Sequence, residues 1–415
     1  MLSINFSHTC NFCKKPLKHV VVDLGMQPLC EERIRPEELH KMEPHYPLKV
    51  YLCDNCFLVQ VPETVPPEVI YRDYGYYSSF SDSWLDHARR YVDQVIPRLG
   101  IGRESLVAEI ASNDGYLLQY FVEKGIPVLG IDPSAEVARY AIKEKGVRTE
   151  ILFFGSGTAG WLINHYGKAD LIIGNNVLAH VPDVNDFVRG ISLFLKPDGV
   201  ITMEFPHLQR LVEDNQFDTI YHEHFSYFSF SAVHRIFHQH EIELFDVEEI
   251  PTHGGSLRIY GRHRSSQTKP VHKRVNELIE RERLAGMNSL GYYENFHEKV
   301  KETKREILEF LIRAKREGKQ IAGYGAPGKG NTLLNYCGIR TDFLDYTVDR
   351  SPHKQGNFLP GTHIPVFHPD KLRETKPHYV VILPWNLKEE IISHHQYIRE
   401  WGGKFVVPIP ELTII

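Results

Sequence analysis

A chain of 415 residues has room for two or three domains, each burying a core of its own. At 42% hydrophobic and 24% charged residues the composition is that of an ordinary soluble protein, and a net charge of -5 lacks the basic footprint that non-specific nucleic-acid binding needs. No apolar run reaches the length of a membrane span, and the start "MLSINFSHTCNFCKK" carries no apolar signal core, so a cytoplasmic location with no membrane contact is expected.

Two C-x-x-C knuckles come first, Cys10-Asn-Phe-Cys13 and Cys53-Asp-Asn-Cys56, with 39 residues between them. Four thiolates suit tetrahedral zinc, and each short knuckle lets two sulfurs converge on one ion. A redox C-x-x-C normally comes singly on a βα turn, and disulfides are rare in the cytosol. A closed structural zinc site is therefore expected in a lobe over residues 1–72, with short strands such as "KHVVVDLG" and "LKVYLCDNC". Cys30 and Cys337 read as small buried side chains. The Pro-rich "VPETVPPEVIY" reads as the exit linker.

A second domain is expected over 73–268. It opens with a helix whose Trp84, Leu85, Ala88, Tyr91, Val92 and Val95 fall near helical spacing. From residue 105 strands and helices alternate: "SLVAEIAS", "GYLLQYFVEKG", "PVLGIDPS", "EVARYAIKEKG", "ADLIIGNNVLAHV", "VNDFVRGISLFLKPDG" and "VITMEFP". This alternation predicts a parallel sheet with helices on both faces. "IELFDVEEIP" and "GSLRIYGRH" read as a closing antiparallel pair. The last segment, 269–415, begins with two charged helices and continues as a second α/β unit from "IAGYGAPGKGNTLLNYCG" to "FVVPIP".

Several stretches carry chemistry. "EIASNDGYLL" stands where the first strand of the alternating region meets the first helix, so backbone N–H groups can approach a ligand there. It departs from G-x-G-x-x-G, with Ala111 and Asn113 in place of glycines. Asp132 ends the next strand, placed either to take ribose hydroxyls or to cap the following helix. The two together point to a nucleoside-bearing cofactor. "GYGAPGKGN" satisfies G-x-x-x-x-G-K, but Gly330 replaces the Ser or Thr that would hold magnesium. That leaves a phosphate cradle without hydrolysis, or a plain tight turn. Gly254 and Gly255 in "THGGSLR" suit either a close approach to substrate or a plain turn. Tyr221-His222-Glu223-His224 places ionisable groups in an aromatic wall, where burial can tune a proton-transfer group.

At this point the chain resembles a family. Glu109, the "SNDG" turn with Asn113, Asp114 and Gly115, and Asp132 resemble a class I S-adenosylmethionine methyltransferase. The zinc knuckles, "YGYYSSFS", "NNVLAH", "FDTIYHEHF", "HGGSLR" and "GYGAPGKGN", in that order, resemble the zinc-containing C-methyltransferases that branch nucleotide-linked deoxysugars at carbon 3. The resemblance covers nearly the whole chain. It implies a zinc lobe, a Rossmann-like domain for S-adenosylmethionine and a C-terminal α/β domain facing a nucleoside-diphosphate keto sugar. It implies His224 as the base that removes the proton next to the ketone and Glu223 as its orienter. Tyr76, His180 and Tyr221 become contacts to the sugar and enolate, with the neighbouring Tyr77 an alternative to Tyr76. Asn175 joins the cofactor contacts, and Lys329 and Asn331 become contacts to the diphosphate. His222 receives no role. The rival readings are a methyltransferase acting on RNA or protein, and a relative that binds without catalysis; the intact Tyr221, Glu223, His224 and His180 argue against the second.

Overall fold

The computed structural model describes residues 8–70 and 77–415, and three sheets organise them. The first is small. Strands β1 (His19–Gln27), β2 (Tyr46–Leu52) and β3 (Val59–Gln60) pair antiparallel in chain order. Leu24, Leu48 and Val50 are buried between exposed or half-exposed neighbours, the alternation of an antiparallel sheet with one wet face. Its fourth strand, β9 (Ser226–Tyr227), arrives from far along the chain and pairs with β3.

The second sheet holds β4 (Val107–Ile110), β5 (Val128–Ile131), β6 (Thr149–Glu150), β7 (Ala169–Asn175), β8 (Leu195–Pro206), β10 (Ile242–Ile250) and β11 (Ser256–His263). Their order is β10-β11-β8-β7-β4-β5-β6, parallel from β8 to β6 and antiparallel at β10 and β11. All four residues of β4 are buried, as a strand covered on both faces requires. The strand order reverses at β4, and open α/β sheets bind ligands at that point, beyond the carboxyl ends of the strands. The expected alternation and closing pair are both present. The structure adds the helix Ser156–Tyr166, which the sequence reading did not include.

The helix Asp82–Leu99 begins where Ser81 Oγ accepts the Trp84 N–H and ends at Gly100 in the left-handed region (φ 70°). It buries Ala88, Tyr91, Val92 and Val95 on one face.

The third sheet is the second α/β unit: β12 (Ile321–Tyr324), β13 (Tyr346–Val348), β14 (Val366–Phe367), β15 (Tyr379–Ile382), β16 (Lys404–Val407) and β17 (Thr413–Ile414). Its order is β14-β13-β12-β15-β16-β17, parallel except at β17. Helices Lys273–Ala285 and Phe296–Arg316 precede it. The second buries Val300, Ile307 and Leu311 in one core that runs from the small sheet to the third. The first carries Glu282, whose carboxylate accepts the N–H groups of Phe230 and Ser231 and pairs with His207 Nε2 at 2.7 Å. Burial pushes that carboxyl up, but the bonds from His207 and Ser231 outweigh it and hold it below the usual range. No helix among the described residues is long and apolar enough to cross a membrane.

Candidate active site

The four knuckle sulfurs converge. Their Sγ atoms all lie within 4.8 Å of one another, with Cys10–Cys56 and Cys13–Cys53 each at 3.5 Å. Four thiolates at a zinc bond of roughly 2.3 Å stand about 3.8 Å apart, so the donor set fits tetrahedral zinc. Gln60 Nε2 donates to Cys10 Sγ at 3.3 Å while Gln60 Oε1 accepts the Asn11 N–H at 2.7 Å. Gln60, on β3, thus holds the Cys10 sulfur in place.

The cofactor cleft forms at the switch point. Ala111 (φ 58°) and Asn113 (φ 50°) hold the left-handed conformation that glycines would hold in a dinucleotide turn. Gly115 is required: a Cβ there would lie 3.1 Å from Val147 and 3.2 Å from Ala141, at φ +77°. Asp132 braces this turn, its Oδ2 accepting the Asn113 N–H and its Oδ1 the Ser134 N–H, each at 2.9 Å. The capping reading of Asp132 is therefore real geometry, and each carboxylate oxygen keeps a second lone pair for a ligand hydroxyl. Burial raises its pKa to about 6. Asn113 and Asp114 accept the N–H groups of Ser78 and Ser79, each at 3.0 Å, so the segment after the linker lies on the turn. Glu109, on β4, is buried and held well above the usual carboxyl range by desolvation, against a hydrogen bond from Tyr116. Asn175, at the end of β7, is buried with both amide atoms lacking a hydrogen-bond partner among the described residues. A buried amide left so costs about 1–3 kcal/mol, which a polar ligand at the strand ends removes. The cleft fits S-adenosylmethionine.

The Tyr-His-Glu-His run forms the next wall. His224 is buried, and its Nδ1 meets the Thr219 carbonyl at 3.1 Å. A carbonyl only accepts, so Nδ1 carries the hydrogen and Nε2 keeps its lone pair. Burial and the nearby His180 hold the imidazole well below its ordinary pKa, hence neutral. The rings of His180 and Tyr221 lie 4.6 and 4.1 Å from it. His180 is itself lowered to about 4 by burial. His222 points away, donating from Nε2 to the Tyr46 carbonyl on β2.

Five placements differ from the sequence reading. The orienter of His224 is the Thr219 carbonyl, not Glu223: Glu223 is buried toward Glu31 and Lys354, and desolvation followed by the Glu31 charge raises it well above the usual range. The phosphate cradle of "GYGAPGKGN" is closed by a protein carboxylate: Gly328 N–H donates to Glu31 Oε1 at 2.9 Å, with Lys354 Nζ 3.7 Å from Glu31. Asn331 does not face it as a phosphate ligand either, since its Nδ2 donates to the Cys30 carbonyl at 2.6 Å. Lys329 turns the other way, donating to Asn386 Oδ1 at 2.8 Å. Gly254 allows a close approach, but to Trp385, 2.6 Å from where its Cβ would stand. Tyr76 lies outside the described residues, and the Tyr77 hydroxyl donates to Glu136 at 2.8 Å.

Sequence reasoning missed part of the wall. Asp218 sits inside the quoted "FDTIYHEHF", fully buried, accepting from Trp385 Nε1 at 2.7 Å and raised to about 7 by burial. His253, beside the glycine pair and itself at φ 53°, lies 3.2 Å from Asn176 Nδ2 and meets Trp84 edge to face. Behind them Glu204 is buried between His87 Nε2 (2.8 Å) and Arg258 Nε (2.7 Å). Nothing in local spacing marks these partners, because 54 and 117 residues separate them from Glu204.

Three family models match the chain in order: a zinc binding domain over residues 10–71, a methyltransferase domain over 84–246 and a C-methyltransferase C-terminal domain over 251–410. C-methyltransferase NovU of Streptomyces niveus is 34% identical over 395 residues, 95% of this chain and 94% of that protein. The chain belongs to the C-methyltransferase family. A ubiquinone biosynthesis O-methyltransferase of Chelativorans sp. is 32% identical over 98 residues, 23% of this chain and 38% of that one. A crystal structure of an S-adenosylmethionine-dependent methyltransferase from Anabaena variabilis shares 17% identity, covering 43% of this chain and 85% of its own, with a TM-score of 0.36. As a C-methyltransferase the protein is an enzyme that uses S-adenosylmethionine, and its cysteine cluster is a zinc site.

Proposed function

We propose that the acceptor is a nucleoside-diphosphate 4-keto deoxysugar, methylated at carbon 3, and that His224 is the base. The observation that carries this is the pinned tautomer: a buried, neutral imidazole whose Nε2 lone pair is left over by the Thr219 carbonyl. Forming a carbon–carbon bond requires a carbanion equivalent, and a proton next to a ketone is one that a neutral imidazole can remove. S-adenosylmethionine, when bound, supplies an electrophilic methyl group. His180 and Tyr221 pack against the His224 ring and shape the acceptor pocket. The resemblance to deoxysugar C-methyltransferases supports the substrate class. Residues 1–72 then serve as the metal lobe, 73–268 as the cofactor domain and 269–415 as the acceptor-facing part. Glu109, Asn113, Asp114, Gly115, Asp132 and Asn175 line the cofactor side. No role in phosphate binding is proposed for Asn331.

The test is a mass-spectrometric screen of keto sugars on different nucleoside diphosphates, each with S-adenosylmethionine, for the gain of one methyl. His224→Gln is expected to lose about 10²–10⁴-fold in turnover with cofactor affinity retained. Methylation of RNA or of a protein, with no keto sugar accepted, overturns the acceptor reading.

A further inference from the structure

One wall beside His224 takes no part in the proton abstraction. On it Lys329 lies over the Trp385 ring, its Nζ 4.7 Å from the centroid, and one of its three N–H groups goes to Asn386 Oδ1. Trp385 in turn donates from Nε1 to the fully buried Asp218, whose other oxygen has no hydrogen-bond partner among the described residues. Gly254 fixes the ring from the side, leaving no space for even a Cβ. Lysine, tryptophan and carboxylate are thus locked as one unit.

The supports of this unit are chain neighbours of the reaction centre. Asp218 precedes Thr219, whose carbonyl holds His224, and Gly254 follows His253. The charge of Lys329 is felt at both His224 and His253, and Asp218 offsets the cost of burying the ammonium. The phosphate-cradle role is already filled by Glu31 on Gly328, so the lysine is not required at the helix start.

We propose that Lys329 is a further catalytic residue: its ammonium, backed by Asp218 across the Trp385 ring, holds the oxyanion of the enolate. This rests on the keto-sugar reading above. When His224 Nε2 takes the proton, the C–H electron pair enters a new carbon–carbon double bond and the carbonyl pair moves onto oxygen. A remaining Lys329 N–H donates to that oxygen and keeps its proton. When the nucleophilic carbon forms its new bond to methyl, the methyl–sulfur bond breaks with its pair left on sulfur, the product being S-adenosylhomocysteine; the oxyanion pair returns and the ketone is restored. A fixed cation in a site that excludes water acts most strongly on charge that develops only during reaction.

The experiment follows deuterium from heavy water into the carbon next to the ketone, with S-adenosylhomocysteine in place of the methyl donor. Lys329→Met is expected to slow exchange by about 10²–10³-fold. Its affinity for the analogue in which the ketone is reduced to an alcohol is expected to match wild type, because that ligand forms no enolate. Asp218→Asn keeps an acceptor for Trp385. It tests a positioning role: slower exchange with the analogue's affinity and the melting temperature unchanged. Exchange at the wild-type rate in Lys329→Met overturns the proposal. So does an equal loss of affinity for the alcohol analogue and for the free nucleoside diphosphate, which makes Lys329 a phosphate contact. A wild-type enzyme that neither exchanges nor methylates any keto sugar overturns the acceptor reading itself, and this role with it.

Discussion

Replacing Asp132 with Asn separates the two tasks of one carboxylate. Its oxygens accept the Asn113 and Ser134 N–H groups, both at 2.9 Å and both buried. An amide keeps one oxygen, and whichever way it is turned its NH₂ faces the other N–H. One buried donor left without an acceptor costs about 1–3 kcal/mol of stability. The cofactor loses a charged acceptor for its hydroxyls, worth about 1.5–3 kcal/mol, so its Kd should rise roughly 10- to 150-fold. Calorimetry with S-adenosylhomocysteine reads the second effect, and thermal melting without cofactor reads the first. Affinity for the proposed nucleotide-sugar acceptor should not change. A lower melting temperature with undiminished cofactor affinity would refute the reasoning, leaving Asp132 as a brace of the turn and nothing more.

The same carboxyl gives a pH dependence. Burial raises it to about 6, so cofactor binding should weaken as pH falls through that value and the charged acceptor is lost, which titrations at pH 5 and pH 7 can read. For stability the sign is opposite: between an unfolded value near 4 and about 6 the folded carboxyl holds a proton the unfolded chain has lost, so its contribution to folding falls as pH rises. Cys53→Ser should lower zinc content from one per chain and melt the small sheet before the cofactor domain, read by elemental analysis and limited proteolysis; a metal-free, fully folded wild-type chain would contradict it. Glu31→Gln should cost about 1–2 kcal/mol through the weakened contacts with Gly328 and Lys354, read by denaturant midpoint, and leave cofactor affinity as it was.

The sequence made the layered architecture legible because short apolar strands such as Val107–Ile110 alternate with amphipathic helices such as Asp82–Leu99, and both periods are local. The zinc ligands were legible for the same reason, as two knuckles of fixed spacing. What stayed hidden was directional. Glu223 and His224 are neighbours in the chain, yet successive side chains diverge, and the partner of His224 is a backbone carbonyl, a group that every residue offers. "GYGAPGKGN" spells a cradle, but what closes it, Glu31, lies 297 residues away. Asp218 looked like one loop acid among many until burial and Trp385 set it apart.

The pairing of β9 with β3 ties the metal lobe to the reaction centre. Val61 N–H donates to the Phe225 carbonyl, Ser226–Tyr227 completes the sheet that carries Gln60, and Arg235 reaches the Cys56 carbonyl. His224 is therefore one residue from a bonded junction with the lobe. Anyone building hybrids between members of this family inherits that constraint: a lobe exchanged at the linker would meet a foreign β9. The exchangeable unit is two stretches of chain, the first 72 residues together with roughly the segment from Gln216 to Phe230, and neither half can be transplanted alone without misplacing His224.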